Sequence, residues 1–312
     1  MSSKWAGTLW FSLALAAALL PLSVVAASND NAINPKSFYP EGPVVVGRTL
    51  YYAEMGSDRV MRWDGKTNTE VWHRPGCGPT SVARGGAGSL VVLCHEQNAV
   101  ARVSATGKTL KMIDRDSKGL PFMDPNASVN DSRGGVYFSS SGLFSPSAPA
   151  QGAVLYLDAK DHLTRLAEGI HYSNGVALSP DGKTLFVSEH LSRRVLAFDV
   201  GTDGELANRR VFVALDEIEP AQPGRGWEVG PDGLAIDREG NLYIAEYGAG
   251  HLLVVDPQGK LVATVPVGEP YVTAATFGAS EDRIFVTAPA SFADPNDPGK
   301  VYSLKNPAYR PD

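Results

Sequence analysis

What this chain lacks narrows it first. It has 2 Cys in 312 residues, too few for a disulfide scaffold, so the fold must stand on a hydrophobic core. It has no block of Lys or Arg and a formal net charge of −6, where a nucleic-acid binder would show a basic face or stripe. Beyond the first residues, no apolar run approaches the roughly 20 residues that cross a bilayer, and helical periodicity of useful length is missing. Neither nucleic acid nor a membrane is therefore expected as a partner. What is present is 43% hydrophobic residues with 32 Gly and 22 Pro. Such a chain can bury a large core while turning often, which is an all-β composition.

The amino terminus is the exception. Lys4 precedes an apolar stretch from Trp10 to Leu22, and Val25-Ala26-Ala27 offers the small residues at which a signal peptidase cuts. Residues 1–27 are expected to be a signal peptide cleaved before Ser28, with export to the periplasm or the medium. Residues 28–36 show no apolar periodicity and read as a flexible leader, leaving 37–312 as a single domain, expected as a monomer.

The chain repeats itself. Ser173 to His190 reads strand, Ser-Pro-Asp-Gly turn, strand, and Pro231 to Tyr247 says nearly the same again. Laid together, Asn174 falls on Asp232 and Glu189 on Glu246, while the turn Ser179 to Gly182 falls on Asp237 to Gly240. The same hairpin, followed by outer strands, recurs from near positions 41, 78, 126, 174, 232 and 273. Units of that length and strand content predict a six-bladed β-propeller with four-stranded antiparallel blades. A β-sandwich would not repeat a four-strand unit. Two insertions, Gly142 to Gly152 and Glu217 to Val229, read equally as lids over the channel or as plain surface loops.

In a propeller the first strand of each blade lines the central channel, so the residues opening those strands form a ring. The repeat puts Glu41, Gly78, Asn126, Asn174, Asp232 and either Thr273 or Ala274 there. Two carboxylates and two amides facing one axis are costly to desolvate without compensation, and one divalent cation cancels the two negative charges. All-oxygen ligation favours Ca²⁺ and also admits Mg²⁺ or Mn²⁺, with Zn²⁺ a less natural occupant. Any single Asn-Gly or Asp-Gly could be a turn, but the turns of these hairpins, Asp181-Gly182 and Glu239-Gly240, lie further along the chain.

The motifs Pro40-Glu41-Gly42-Pro43, Asp124-Pro125-Asn126, Ser173-Asn174-Gly175 with Ser179-Pro180-Asp181-Gly182, and Pro231-Asp232-Gly233 resemble the gluconolactonase/senescence-marker-protein (regucalcin-like) family across nearly all of residues 28–312. The resemblance implies a six-bladed propeller holding one catalytic divalent metal through Glu41, Asn126, Asn174 and Asp232. It also implies hydrolysis of lactones, sugar lactones foremost. Ala127 after Asn126 and Ser139-Ser140 at the end of the third hairpin depart from the family's usual residues. These departures leave the four oxygen positions intact, and a sugar lactone is not assumed as substrate.

A second ring, at the ends of the second strands, contains Glu54, Cys94-His95, Ser140, Glu189-His190 and Glu246. His95 and His190 titrate near neutrality and are candidate proton shuttles, against a structural role for either. Glu189 and Glu246 read as groups that steady the ligands. Cys77 and Cys94 start and end adjacent antiparallel strands, which predicts a disulfide between them.

The expected chemistry is opening of a small-molecule lactone or ester: the cation polarises the carbonyl, and Asn174 and Asp232 serve as ligands, with Asp232 or the metal activating water. Two alternatives stay open here, an organophosphate or aryl-ester hydrolase on the same metal, and a non-enzymatic ligand-binding propeller stabilised by calcium.

Overall fold

The computed structural model describes residues 31–219 and 224–311. The expected signal peptide and residues 28–30 lie outside them. The described residues form six four-stranded antiparallel sheets, and their innermost strands touch one another in a closed ring around a channel. The protein is a six-bladed β-propeller. The innermost strands are Pro40–Val46, Pro79–Arg84, Pro125–Asn130, Ser173–Leu178, Gly230–Ile236 and Ala274–Phe277. Among the described residues helix is confined to a few short turns, of which Leu215–Ile218 is the α-helical one, and none is long and apolar enough to cross a membrane.

Five blades are contiguous in sequence, and the sixth is not. Its outermost strand is Ala32–Phe38, paired antiparallel with Pro298–Lys305. The flexible leader expected over residues 28–36 is thus corrected from Ala32 onward to a strand that closes the ring. The physical reason is edge satisfaction. Without that strand, Pro298–Lys305 would expose a row of backbone donors and acceptors, and no strand pairing would join the two ends of the chain.

The core sits between blades. Six apolar clusters each join the facing surfaces of two neighbouring sheets, for example Tyr243, Leu252 and Val254 against Val272, Ile284 and Tyr302. The alternating strand pattern produces this, because both faces of a blade pack against neighbours while its two ends meet water. Cys77 and Cys94 are fully buried in the wedge between the first two blades and form the expected disulfide, Cα–Cα 4.6 Å.

One local device recurs on every channel-lining hairpin of the first five blades. A register shift follows the residue at the ring station, between Glu41 and Val44, Pro79 and Ser81, Pro125 and Ser128, Ser173 and Val176, and Pro231 and Leu234. Such bulges bend a strand and re-aim its side chains. Two residues before the station, the backbone turns left-handed at Tyr39, Gly78, Asp124 and Tyr172, with φ of 48°, 53°, 51° and 62°. Bulky residues rarely adopt that conformation and tend to do so where function requires the geometry.

Candidate metal centre

Strand pairing sets the ring. Pro40, Pro79, Pro125, Ser173 and Pro231 lie opposite the ends of the second strands, at Glu54, Cys94, Ser140, Glu189 and Glu246. The next residue in each blade is therefore at the same height: Glu41, Thr80, Asn126, Asn174 and Asp232. Ala274, opposite Thr287, completes the ring in the sixth blade. In the second blade the station belongs to Thr80 rather than Gly78. Gly78 instead occupies the left-handed position that tyrosine or aspartate fills in other blades.

The four expected oxygen donors converge. Glu41, Asn126, Asn174 and Asp232 all line one cavity of about 100 Å³ together with Thr80 and His95, and each is under a tenth exposed. Their glycine neighbours explain the recurring Asn-Gly and Asp-Gly pairs. A Cβ on Gly175 would come within 2.2 Å of the Asp232 carbonyl oxygen, and one on Gly233 within 2.5 Å of the Thr273 carbonyl oxygen. Adjacent inner strands approach too closely for any side chain there, and the Gly233 N–H donates across that contact to Thr273 at 2.7 Å. The glycines draw the ring tight.

The electrostatics of the floor are unbalanced. Burial pushes the Glu41 carboxyl well above the usual range, and the nearby Asp232 charge pushes it further. Burial likewise raises Asp232, although hydrogen bonds from Asn174 and the Gly233 N–H partly oppose it. No Lys or Arg is among the described residues lining the cavity. The Asn174 Oδ1 is buried without a hydrogen-bond partner. Two cramped carboxylates, an orphaned amide oxygen, a second amide and no internal cation fit an oxygen-binding divalent ion.

The two histidines part company. His190 is buried, with Nδ1 3.1 Å from the Pro231 carbonyl and Nε2 2.9 Å from the Glu228 carbonyl. Burial lowers its pKa to about 4, so near pH 7 the ring is neutral, and its one N–H donates to one of these two carbonyls. His95 also lines the cavity but leaves Nδ1 buried and unpartnered, while Nε2 lies 3.9 Å from Asp124 Oδ1. Burial lowers its pKa as well, against the opposing pull of Asp124. Only His95 keeps a nitrogen free for a substrate.

Glu189 and Glu246 do not reach the floor. Glu189 accepts from Arg194, Arg209 and the His171 N–H, and Glu246 from Arg193 and His251. Glu189 steadies its own blade, and Glu246 joins the fifth blade to Arg193 of the fourth. Glu219, Glu246 and His251 bring ligand-type atoms within 4.8 Å of one another. Burial depresses the His251 pKa, but its bonds to both glutamates outweigh that and raise it to about 9. In this structure these groups pair with one another and with Arg193, which meets Glu246 at 2.8 Å, as an ion-pair network.

Of the walls and rim, the sequence offered His95 and His190 and the two insertions as possible lids, but not the aromatic and methionine side chains that line them. The residues after Glu54, Cys94, Glu189 and Glu246 supply Met55, His95, His190 and Tyr247 to the cavity, and the left-handed stations supply Tyr39 and Tyr172. Phe144, from one of the two insertions, stacks 5.0 Å from Trp227 of the other, and Phe292 lies 6.2 Å away. Both insertions thus reach the channel mouth. The spacing of these residues from the ring station is the signal that could have found the wall, whereas the insertions share no pattern.

Residues 39–290 match the family model described as the SMP-30/gluconolactonase/LRE-like region. Human regucalcin is 28% identical over 266 residues, covering 82% of this chain and 84% of that protein. A gluconolactonase structure from Xanthomonas campestris superposes with a TM-score of 0.71 at 26% identity, covering 88% of this chain and 89% of that one. A calcium-binding regucalcin structure from Agrobacterium tumefaciens gives 0.70 at 18% identity over 90% and 97%, a likeness of fold.

Proposed function

The chain belongs to the SMP-30/gluconolactonase/LRE-like family, and from that premise we propose that it is a hydrolase that opens lactone rings with one divalent cation held by Glu41, Asn126, Asn174 and Asp232. Ca²⁺ is the favoured ion because the donor set is all oxygen. The apolar segment after Lys4 supports an exported enzyme. The observation that carries the reading is the floor itself, where two buried carboxylates face one another without an internal cation and the Asn174 Oδ1 has no partner. The gluconolactonase and regucalcin relatives support the same direction.

A bound cation supplies positive charge that polarises the lactone carbonyl and stabilises the charge developing on its oxygen. The remaining steps fall to side chains. Asp232, on the cavity floor, accepts a proton from the attacking water at a carboxylate oxygen. Water's oxygen bonds to the carbonyl carbon, the ring C–O bond breaks, and the departing ring oxygen takes up a proton to give a hydroxy acid. That proton is the one Asp232 took from the water, and His95, which lines the same cavity, is placed to relay it. His190, with Nδ1 3.1 Å from the Pro231 carbonyl, sits against the strand carrying Asp232.

The test is hydrolysis of a lactone panel by mature protein before and after chelation. Activity lost on chelation, restored by Ca²⁺ and missing in Asn174→Ala supports the reading. Undiminished turnover by the chelated protein would refute it.

A further inference from the structure

The cavity is polar below and apolar above, and on its walls the polar tips already have partners, His95 Nδ1 excepted. The Tyr39 and Tyr247 hydroxyls bond one another at 2.8 Å. Thr80 Oγ1 donates to the Pro125 carbonyl at 3.0 Å. Both ring nitrogens of His190 face backbone carbonyls. What these side chains present to a bound molecule is ring face and methyl. Above them Phe144 lies 4.7 Å from Tyr172, 5.2 Å from His190 and 5.0 Å from Trp227. Trp227 and Phe292 remain 47% and 41% exposed at the rim, so with Phe144 they carry a contiguous apolar surface from the cavity out to its mouth.

Resting on the lactonase reading, we infer that the lactone this site takes carries an apolar substituent, alkyl or aryl, which lies against Phe144, Trp227 and Phe292 while the ester group meets the floor. A polyhydroxylated lactone would strip its hydroxyls of water against rings that offer no partner, and each such group is penalised. An anionic substituent is disfavoured too, because no Lys or Arg is among the described lining residues. An apolar chain leaves water for aromatic surface and gains from the transfer.

The experiment compares kcat/KM of the metal-loaded mature protein for δ-valerolactone, a series of δ-alkyl-δ-lactones, dihydrocoumarin and glucono-δ-lactone. The expected result is a rise of roughly fourfold for each of the first few added methylenes, with glucono-δ-lactone the poorest substrate. In Phe144→Ala the ratio of alkyl-substituted to unsubstituted kcat/KM should fall at least tenfold, mainly through KM. A flat alkyl series, or a preference for glucono-δ-lactone, overturns the inference even if Phe144→Ala does not fold. If no lactone is hydrolysed, the lactonase reading fails by itself, and the apolar site is then judged by calorimetric binding of 4-phenylcyclohexanone against glucose. Tighter binding of the ketone upholds the apolar site, and equal or weaker binding removes it.

Discussion

Two sets of buried carboxylates sit within one hairpin of each other and live differently. At the ends of the second strands, Glu54, Glu189 and Glu246 are at most 2% exposed, and each meets a cationic side chain five residues on: Arg59, Arg194 and His251. On the channel floor, Glu41 and Asp232 are nearly as buried and meet only amides, backbone N–H groups and each other. The outer set shows how this fold treats a buried charge that serves structure: it places the counter-charge on the neighbouring strand. The floor departs from that habit at two stations, and an unbalanced charge that folding retains points to a ligand.

The contrast can be broken with substitutions on either side of it. Asp232→Ala should lower lactone kcat/KM by about a thousandfold or more, as expected when a group acting on the reacting atoms is lost. In metal-free protein the same change should leave the melting temperature unchanged or raise it, because it removes one of two cramped charges. Arg59→Ala should do the reverse. Glu54 would keep only Asn34 and Ser37 as side-chain partners, and chemical denaturation should show a loss of about 3 kcal/mol with kcat little altered.

Gly175→Ala probes the closeness that holds the floor together. With a Cβ forced to 2.2 Å from the Asp232 carbonyl oxygen, backbone must shift, at a stability cost of about 1–3 kcal/mol and with weakened metal affinity measured on the same sample. The smallest effect concerns pH. His251, raised to about 9 from its ordinary 6.5, contributes stability that is fully present below pH 6.5 and is lost as pH rises through about 9. The melting temperature should fall by a few degrees across that window, and less steeply in His251→Asn.

Much of the fold was legible because a propeller writes its unit repeatedly, and the echo between Asn174 and Asp232 survives differences in the rest of the hairpin. The closing strand was not, since Ala32–Phe38 lacks alternation and its partner, Pro298–Lys305, lies at the far end of the chain. Three of the floor's oxygen positions sit directly before a glycine, in Glu41-Gly42, Asn174-Gly175 and Asp232-Gly233, and were readable for that reason. Thr80 was displaced by two residues because Gly78 imitates those motifs while performing the left-handed turn. Phe144, Trp227 and Phe292 come from segments outside the repeat, so only three-dimensional packing brings them together.

The central claim is that Glu41 and Asp232 are left unpaired inside the protein because a cation from solution completes them. Calorimetric titration of metal-stripped mature protein with Ca²⁺ addresses it directly. We predict one equivalent bound per chain, a melting temperature that climbs with Ca²⁺ concentration, and loss of both in Asp232→Ala. Titration with Ca²⁺, Mg²⁺ and Mn²⁺ that yields no binding heat and no thermal shift would contradict it.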